Sequence, residues 1–478
     1  MQTNSVSRLS GTLHKMTIIK KKPTYKNTNE FPFQLIIKCV YPEKKNELIK
    51  CTATLRFIPG RRKVLDAIWN DRNVIVKLFM HKVSAKRHLN REWKGLTTLS
   101  RSEIDSPEPL FFGQTEAGHW AIVVEKISDS STALEIFHNT KSPEMKLDLL
   151  SMICTELALQ HNAGILQKDF HLGNFLLSGE KIFALDPAQM TFYKHQVPKN
   201  KSISNFAMLL LCLPNDEIVS RQILCKQYFQ TRGLQFHDSD ERLIRKYVNY
   251  HKKRGIKHGL KKSLRNSKNF HRIEVPCFSG IFDKSFCTEA ESFDFMKQID
   301  SLMEKGNILK DSNTCFISHL KWNKNNIVIK RYNHRGIIHS LRHTIIKSRA
   351  RRVWIHAQRL TMLGIPTPKP MAFIEQHRGL ILWNSYYISE YTKGTNLHNF
   401  LNGTSVSEEQ KKSVIKQVEK LLEKTGDYLI THGDLKHSNI LITENGPVLT
   451  DLDAMQAHKS RLIYKMKRAK DIKRFQKK

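Results

Sequence analysis

One three-residue pattern occurs twice in the chain, and each copy brings the same flanks in the same order. KDFHLGNFLLSGEKIFALDPA carries Asp169, Asn174 and Asp186, and GDLKHSNILITENGPVLTDLDA carries Asp434, Asn439 and Asp451; both read D-x4-N-x11-D. At about 5% usage per residue, one copy is expected by chance at roughly one start in 10^4. Two copies with matching surroundings point instead to a repeat of whole domains. Upstream, NREWKGL places Trp93 ahead of Pro107 and Pro109, and ARRVWIHAQ places Trp354 ahead of Pro368 and Pro370, with identical separations. Further upstream, β-branched runs end in lysine, VIVK at Lys77 and IVIK at Lys330. Between prolines and Asp motif, apolar segments lead to Glu125 and Glu390. Just before each motif a helical stripe is expected, Leu150, Cys154 and Leu157 in one half and Val414, Val418, Leu421 and Leu422 in the other.

The chain is long enough for this organisation: 478 residues exceed one core and suit two domains. Hydrophobic residues make up 40% and charged residues 26%, so the chain is globular rather than disordered or collagen-like. The longest apolar run, Phe206 to Leu213, stops at Pro214 at the length of a buried helix, so no bilayer-spanning segment is expected. The N-terminus is basic but lacks the apolar stretch of a secretory signal, which predicts a cytoplasmic protein. Eight scattered cysteines without C-x-x-C spacing are expected to be reduced structural thiols. Lysine and arginine number 79 against 44 acids, a formal charge of +35 that should attract an anionic partner. No nucleic-acid motif and no regular aromatic interleaving accompany the basic residues, so no specific nucleic acid is expected.

The repeated residues suit phosphoryl transfer from ATP, which depends on positioning and charge neutralisation more than on covalent help. Lys77 and Lys330 can hold the α- and β-phosphates at strand ends. Asp169 and Asp434 can accept the proton of an attacking hydroxyl, with Asn174 and Asn439 holding a metal. Asp186 and Asp451, each ending the next strand, complete an Mg²⁺ site. Taken singly, each has a plainer reading: a surface lysine, a turn asparagine, a capping aspartate. The shared order and duplicated spacing favour the functional one.

At these residues both halves resemble the lipopolysaccharide core kinase family, the heptose and Kdo kinases related to protein kinases. The second half resembles it through SRARRVW, LGIPTPKP, HGDLKHSNILI, VLTDLDAM and KDIKRF, from about Ile308 to the C-terminus. The first half does so through PGRRKV, VIVKLF, REWKGL, KDFHLGNFLL and ALDPA. The resemblance implies an α+β chain of two tandem bilobal protein-kinase-like domains, each with a small antiparallel-sheet N-lobe and a helical C-lobe. It also implies ATP and Mg²⁺ as cofactors, Lys77, Lys330, Glu92, Glu125 and Glu390 as nucleotide-side residues, and a sugar hydroxyl of the lipopolysaccharide inner core as acceptor. The expected boundaries are a basic tail over 1–25, a first domain over 26–242, a basic linker over 243–270 and a second domain over 271–478. With +35 of charge, the linker and the segment Lys459 to Lys478 are expected to meet an anionic membrane surface, as a peripheral protein on its inner face.

Three departures qualify the family pattern. Neither half has a G-x-G-x-x-G loop; the first offers Pro59 and Gly60, the second LKDSNT. Gln167 stands where kinases have the histidine preceding the catalytic Asp, although the first half keeps Lys77 and Glu92. The second half keeps His432 but has Val353 where the first has Glu92, leaving Lys330 without its usual partner. Either departure can mark a pseudokinase or an atypical enzyme. The alternatives are a small-molecule or protein kinase of the same fold, or a non-catalytic kinase-like scaffold for anionic partners.

Overall fold

The computed structural model describes residues 31–81, 83–214, 217–333, 347–379, 381–404 and 406–476. The basic tail expected over 1–25 lies outside them. The chain divides into two compact units, Met1–His251 and Lys252–Lys478.

The first unit begins with a meander of β1 (Phe33–Tyr41), β2 (Asn46–Ile58), β3 (Arg62–Trp69) and β4 (Arg72–Phe79). Asn70 and Asp71, both at positive φ (46° and 60°), make the two-residue turn that sets Trp69 opposite Arg72. Asn and Asp tolerate that conformation and its twist matches that of paired strands. Helix α1 (Ala85–Arg101) follows, then β5 (Pro109–Thr115) and β6 (Trp120–Glu125). The order is β1-β2-β3-β4-β6-β5, and β5 pairs back onto β1 to close a barrel. Alternate residues of VIVK point inward, so Val74 and Val76 lie in the barrel core with Leu65, Ala67 and Val123.

The rest of this unit is helical with short ribbons: β7 (Ser131–Thr132), α2 (Ala133–Asn139), α3 (Pro143–Asn162), β8 (Ile165–Gln167), β9 (Phe175–Ser178), β10 (Lys181–Ala184), β11 (Met190–Phe192), α4 (Lys199–Leu209) and α5 (Ile218–Thr231). The expected stripe does bury: Leu150, Cys154 and Leu157 of α3 are at 0% exposure. The start of α3 is fixed by Ser142, whose side chain accepts from Met145 N–H, and by Pro143 in the first turn, where its missing N–H costs nothing.

The stretch 243–270, expected as a basic linker, is helical as far as Lys262, as part of α6 (Asp238–Lys262). Ile244 and Val248 lie in the helical core of the first unit, and Ile256 and Leu264 pack against the core of the second. The Trp354 indole donates to Ser263 C=O at 3.0 Å. Apolar residues one helical turn apart were enough to fold a stretch whose charge suggested a solvated connection.

The second unit has a seven-stranded antiparallel sheet in the order β12-β13-β17-β18-β16-β15-β14. Its strands are β12 (Phe270–Val275), β13 (Phe278–Asp283), β14 (Asn307–Ser312), β15 (Cys315–Trp322), β16 (Asn325–Tyr332), β17 (Pro370–Arg378) and β18 (Ile381–Glu390). Helix α7 (Glu289–Lys305), started by a Thr288/Glu291 capping box, brings Phe295, Met296, Ile299 and Met303 to one core with strand residues Ile327, Ile329 and Tyr386. Helix α8 (Arg349–Met362) forms a separate core through Val353, Trp354 and Ala357 with Phe373 and Tyr387. There follow β19 (Thr395–Asn396), α9 (Leu397–Asn402), α10 (Glu408–Asp427), β20 (Ile430–Thr431), β21 (Ile440–Thr443), β22 (Gly446–Leu449), β23 (Gln456–Ala457) and α11 (Arg461–Gln476). Val418, Leu421 and Leu422 of α10 are buried as their spacing required. Each unit thus sets an antiparallel sheet ahead of a helical part, with mixed α and β content throughout.

Candidate active site

In the first unit Lys77 leaves β4 and meets Glu92 of α1, Nζ to Oε1 at 2.5 Å. Glu92 is at 0% exposure, and the Arg62 guanidinium adds a second cation at 3.5 Å while lying over the Phe79 ring. Burial alone would raise the Glu92 carboxyl, but Lys77 and Arg62 outweigh it and hold it below its ordinary range. The Lys and Glu pair expected from the sequence is therefore formed.

The catalytic-type loops share one geometry. The Asn174 side chain donates from Nδ2 to Asp169 C=O at 2.8 Å, and Asn439 does the same to Asp434 C=O at 2.8 Å. Asn174 C=O accepts from Leu185 N–H at 2.8 Å and Asn439 C=O from Thr450 N–H at 3.0 Å. Each asparagine thereby joins the loop bearing one Asp to the residue before the next. Asp186 and Asp451 both sit in left-handed backbone conformation, φ 56° and 54°, a strain of about 1–3 kcal/mol that surrounding contacts must hold. Asp186, largely buried and near Glu92, has its carboxyl raised above the ordinary range, chiefly by burial.

The groups behind the loops differ. His432 donates from Nε2 to Thr450 C=O at 2.8 Å, tying the catalytic loop to the strand end before Asp451. Asp471 of α11, at 1% exposure, accepts from the backbone N–H of His432 at 2.7 Å and of Gly433 at 3.0 Å. Gly433 cannot be replaced freely: its φ is +82° and a Cβ would stand 2.2 Å from Ala454 O. In the first unit Gln167 turns instead to α3, Nε2 to Gln160 Oε1 at 2.9 Å, and Asn205 Nδ2 donates to Gln167 C=O at 2.8 Å. His161 supports Asn205 at 3.1 Å, and burial pushes its imidazole down to about 3, so it is neutral there.

The second unit also rearranges the lysine's partners. Val353 is buried in the α8 core, and Lys330 Nζ meets Asp451 Oδ1 at 2.6 Å and Asp453 Oδ2 at 3.0 Å. Tyr332 O–H donates to Asp453 Oδ1, and Arg349 of α8 reaches Asp453 Oδ2 at 2.9 Å. Burial would raise Asp453, yet Lys330, the Tyr332 hydroxyl and Arg349 together hold it below the ordinary range. Lys436 lies at 3.1 Å from Asp434 Oδ2, a cation beside the carboxylate. Asp453, Tyr332, Arg349, Lys436 and Asp471 were not among the residues expected from the sequence. The sequence marks two of them without giving their partners: Asp453 through the D-L-D of the second half where the first has D-P-A, and Asp471 as the single acid of the basic run from Lys459 to Lys478.

Glu125 and Glu390 end β6 and β18 with exposed side chains, and their N–H groups donate to Glu108 O and Lys369 O, both at 2.9 Å. In place of a glycine-rich loop, β2 and β3 are joined through Gly60 at φ 64°, and β14 and β15 through a turn in which Ser312 Oγ donates to Cys315 O at 2.9 Å.

The oxygen donors available in each unit suit a hard cation: a carboxylate (Asp186, Asp451) and the carboxamide oxygen left when the Asn amide nitrogen is engaged. Among the described residues no cluster of three or more His, Cys, Asp or Glu side chains forms a protein-only metal site.

Residues 301–478 match the lipopolysaccharide kinase (Kdo/WaaP) family. The match lies wholly within the second unit and assigns it to the phosphotransferases that use an alcohol group as acceptor. No curated protein matches the chain. Among solved structures, the kinase domain of Mycobacterium tuberculosis PknI is similar at 13% identity over 42% of this chain and 95% of that one, with a TM-score of 0.29.

Proposed function

We propose that the second unit transfers the γ-phosphoryl group of ATP to a sugar hydroxyl, heptose or Kdo, of the lipopolysaccharide inner core. The observation that carries this reading is the co-location of Lys330, Asp451 and Asp453, within the match to residues 301–478. Lys330 holds the nucleotide phosphates, Asp434 orients the acceptor hydroxyl and takes its proton, and Lys436 offsets charge beside it. Asn439 and Asp451 would hold Mg²⁺, which would supply charge neutralisation at the phosphates. Within the same reading both units have a tandem protein-kinase-like fold, and Lys77, Asp169, Asn174 and Asp186 give the first unit its own nucleotide set, with Glu92 orienting Lys77. Glu125 and Glu390 edge the nucleotide in their units.

The acceptor would lie in an anionic leaflet, and α11 is suited to meet one. Leu462, Ile463 and Met466 are 70%, 51% and 63% exposed, among Arg461, Lys465, Lys467, Lys470 and Lys473. Such a helix adsorbs through its apolar residues and about 1 kcal/mol per basic residue near an anionic surface. Among the described residues no helix is long and apolar enough to cross a membrane.

Mass spectrometry of dephosphorylated core oligosaccharide after incubation with the protein, ATP and Mg²⁺ tests the reading. One added phosphate on a core sugar supports it. Phosphate found only on protein hydroxyls or a small-molecule alcohol would replace the acceptor.

A further inference from the structure

The two units solve one electrostatic problem in two ways. By position in the repeat, Glu92 corresponds to Val353, Ala188 to Asp453 and Phe79 to Tyr332. The second unit therefore loses the carboxylate from its helix and gains one in the loop after Asp451. It gains with it the tyrosine hydroxyl that donates to that carboxylate. The second cation moves as well. In the first unit it is Arg62, on the strand before Lys77. In the second it is Arg349, on the helix, 2.9 Å from Asp453 and over the Tyr332 ring at 4.6 Å. Each unit thus keeps a lysine, an arginine, a carboxylate withdrawn from solvent wholly (Glu92) or in part (Asp453) and an aromatic ring, but the carboxylate has changed element.

We infer that Asp453 is the positioning residue for the phosphate-binding Lys330, replacing the helix-borne glutamate of the first unit. Lys330 has two carboxylates within reach, Asp451 at 2.6 Å and Asp453 at 3.0 Å. Asp451 is the side chain that the proposed function gives to the metal. Asp453, held by Tyr332 and Arg349, stays with the lysine. The consequence is regulatory. Lys77 is oriented only while α1 holds Glu92 against it, so displacement of that helix would release it. Lys330 is oriented by the loop that carries Asp451, so the lysine and the metal ligand are set together and do not depend on a helix glutamate. This rests on the kinase reading of the second unit.

The test is calorimetric binding of magnesium adenylyl imidodiphosphate to the full chain carrying Lys77→Ala and Asp186→Ala, so that only the second unit reports. In that background Lys330→Ala should abolish binding. Asp453→Ala and Asp453→Asn should weaken it at least tenfold, with melting temperatures within a few degrees of the background. Val353→Glu added to Asp453→Ala should recover most of the affinity by returning the carboxylate to the helix. Full affinity in both Asp453 variants, or equal loss in Asp453→Ala with and without Val353→Glu, would overturn the inference while leaving nucleotide binding intact. No binding even in the background chain would remove the kinase reading of this unit and the inference with it. Asp453→Asn keeps the side-chain volume, so the comparison stands if the alanine variant folds poorly.

Discussion

At the scale of single residues, the lysine and carboxylate pairs decide what the sites can hold. Glu92 is fully buried against Lys77 and Arg62, and removing one partner of such a pair leaves an uncompensated charge at a cost of about 3–5 kcal/mol. Glu92→Gln should therefore destabilise the first unit by about 3 kcal/mol near pH 7, measured by denaturant unfolding. The Glu92 pKa is depressed in the fold, so its contribution is present above the unfolded carboxylate range and is lost as pH falls through the folded value. The difference between wild type and Glu92→Gln should accordingly shrink as pH falls below the ordinary carboxylate range, and a constant difference would show that charge is not its cause. These residues also show what the sequence disclosed. Lys77, Asp169, Asn174 and Asp186 stood out in the sequence because their order and spacing were duplicated, whereas Glu92, which has no counterpart at Val353, came from the family resemblance alone. The role of Asp453 did not stand out, because it depends on a pairing across 123 residues that no local pattern encodes.

At the scale of elements, the short strands and turns place these residues, and helices hold the turns. Helix α11 works on both faces. One side carries Asp471 under the catalytic loop, and the other exposes Leu462 and Met466. Asp471→Ala leaves two buried N–H groups without their acceptor, and hydrogen bonds to a charged group are worth about 1.5–3 kcal/mol. The variant should lose at least tenfold in transfer rate, with nucleotide affinity of the second unit changed far less. Equal losses in both would mean that Asp471 only supports folding. Helix stripes such as Leu150, Cys154 and Leu157 were readable from periodicity. The stretch after Arg245 was readable as a charged helix and linker, while the packing of Val248 and Ile256 against the cores was not, because its charge masks those few apolar positions. Barrel closure by β1 depends on a long-range pairing of Ile37 with Thr115, which no local pattern predicts.

At the scale of the molecule, the net charge of +35 is what the proposed contact with an anionic surface rests on. Sedimentation with phosphatidylglycerol vesicles should bring the protein down at low salt, and with phosphatidylcholine vesicles should not. Binding should fall steeply as ionic strength passes 0.15 M, where the screening length is about 8 Å. Replacing Leu462 and Met466 by serine should weaken it further, and no change in that variant would place the contact elsewhere. The repeat gave an expectation of two domains; the chain divides into two compact units between His251 and Lys252, a point inside one helix that no sequence signal marks.

The central claim is that the second unit performs the transfer, and the most direct measurement is the rate of labelled γ-phosphate transfer from ATP to dephosphorylated lipopolysaccharide core. It should be run on wild type, Asp434→Ala and Asp169→Ala side by side. Asp434→Ala should lower the rate at least a hundredfold, and Asp169→Ala should leave most of it. Transfer that survives Asp434→Ala and disappears with Asp169→Ala would contradict the claim and move catalysis to the first unit.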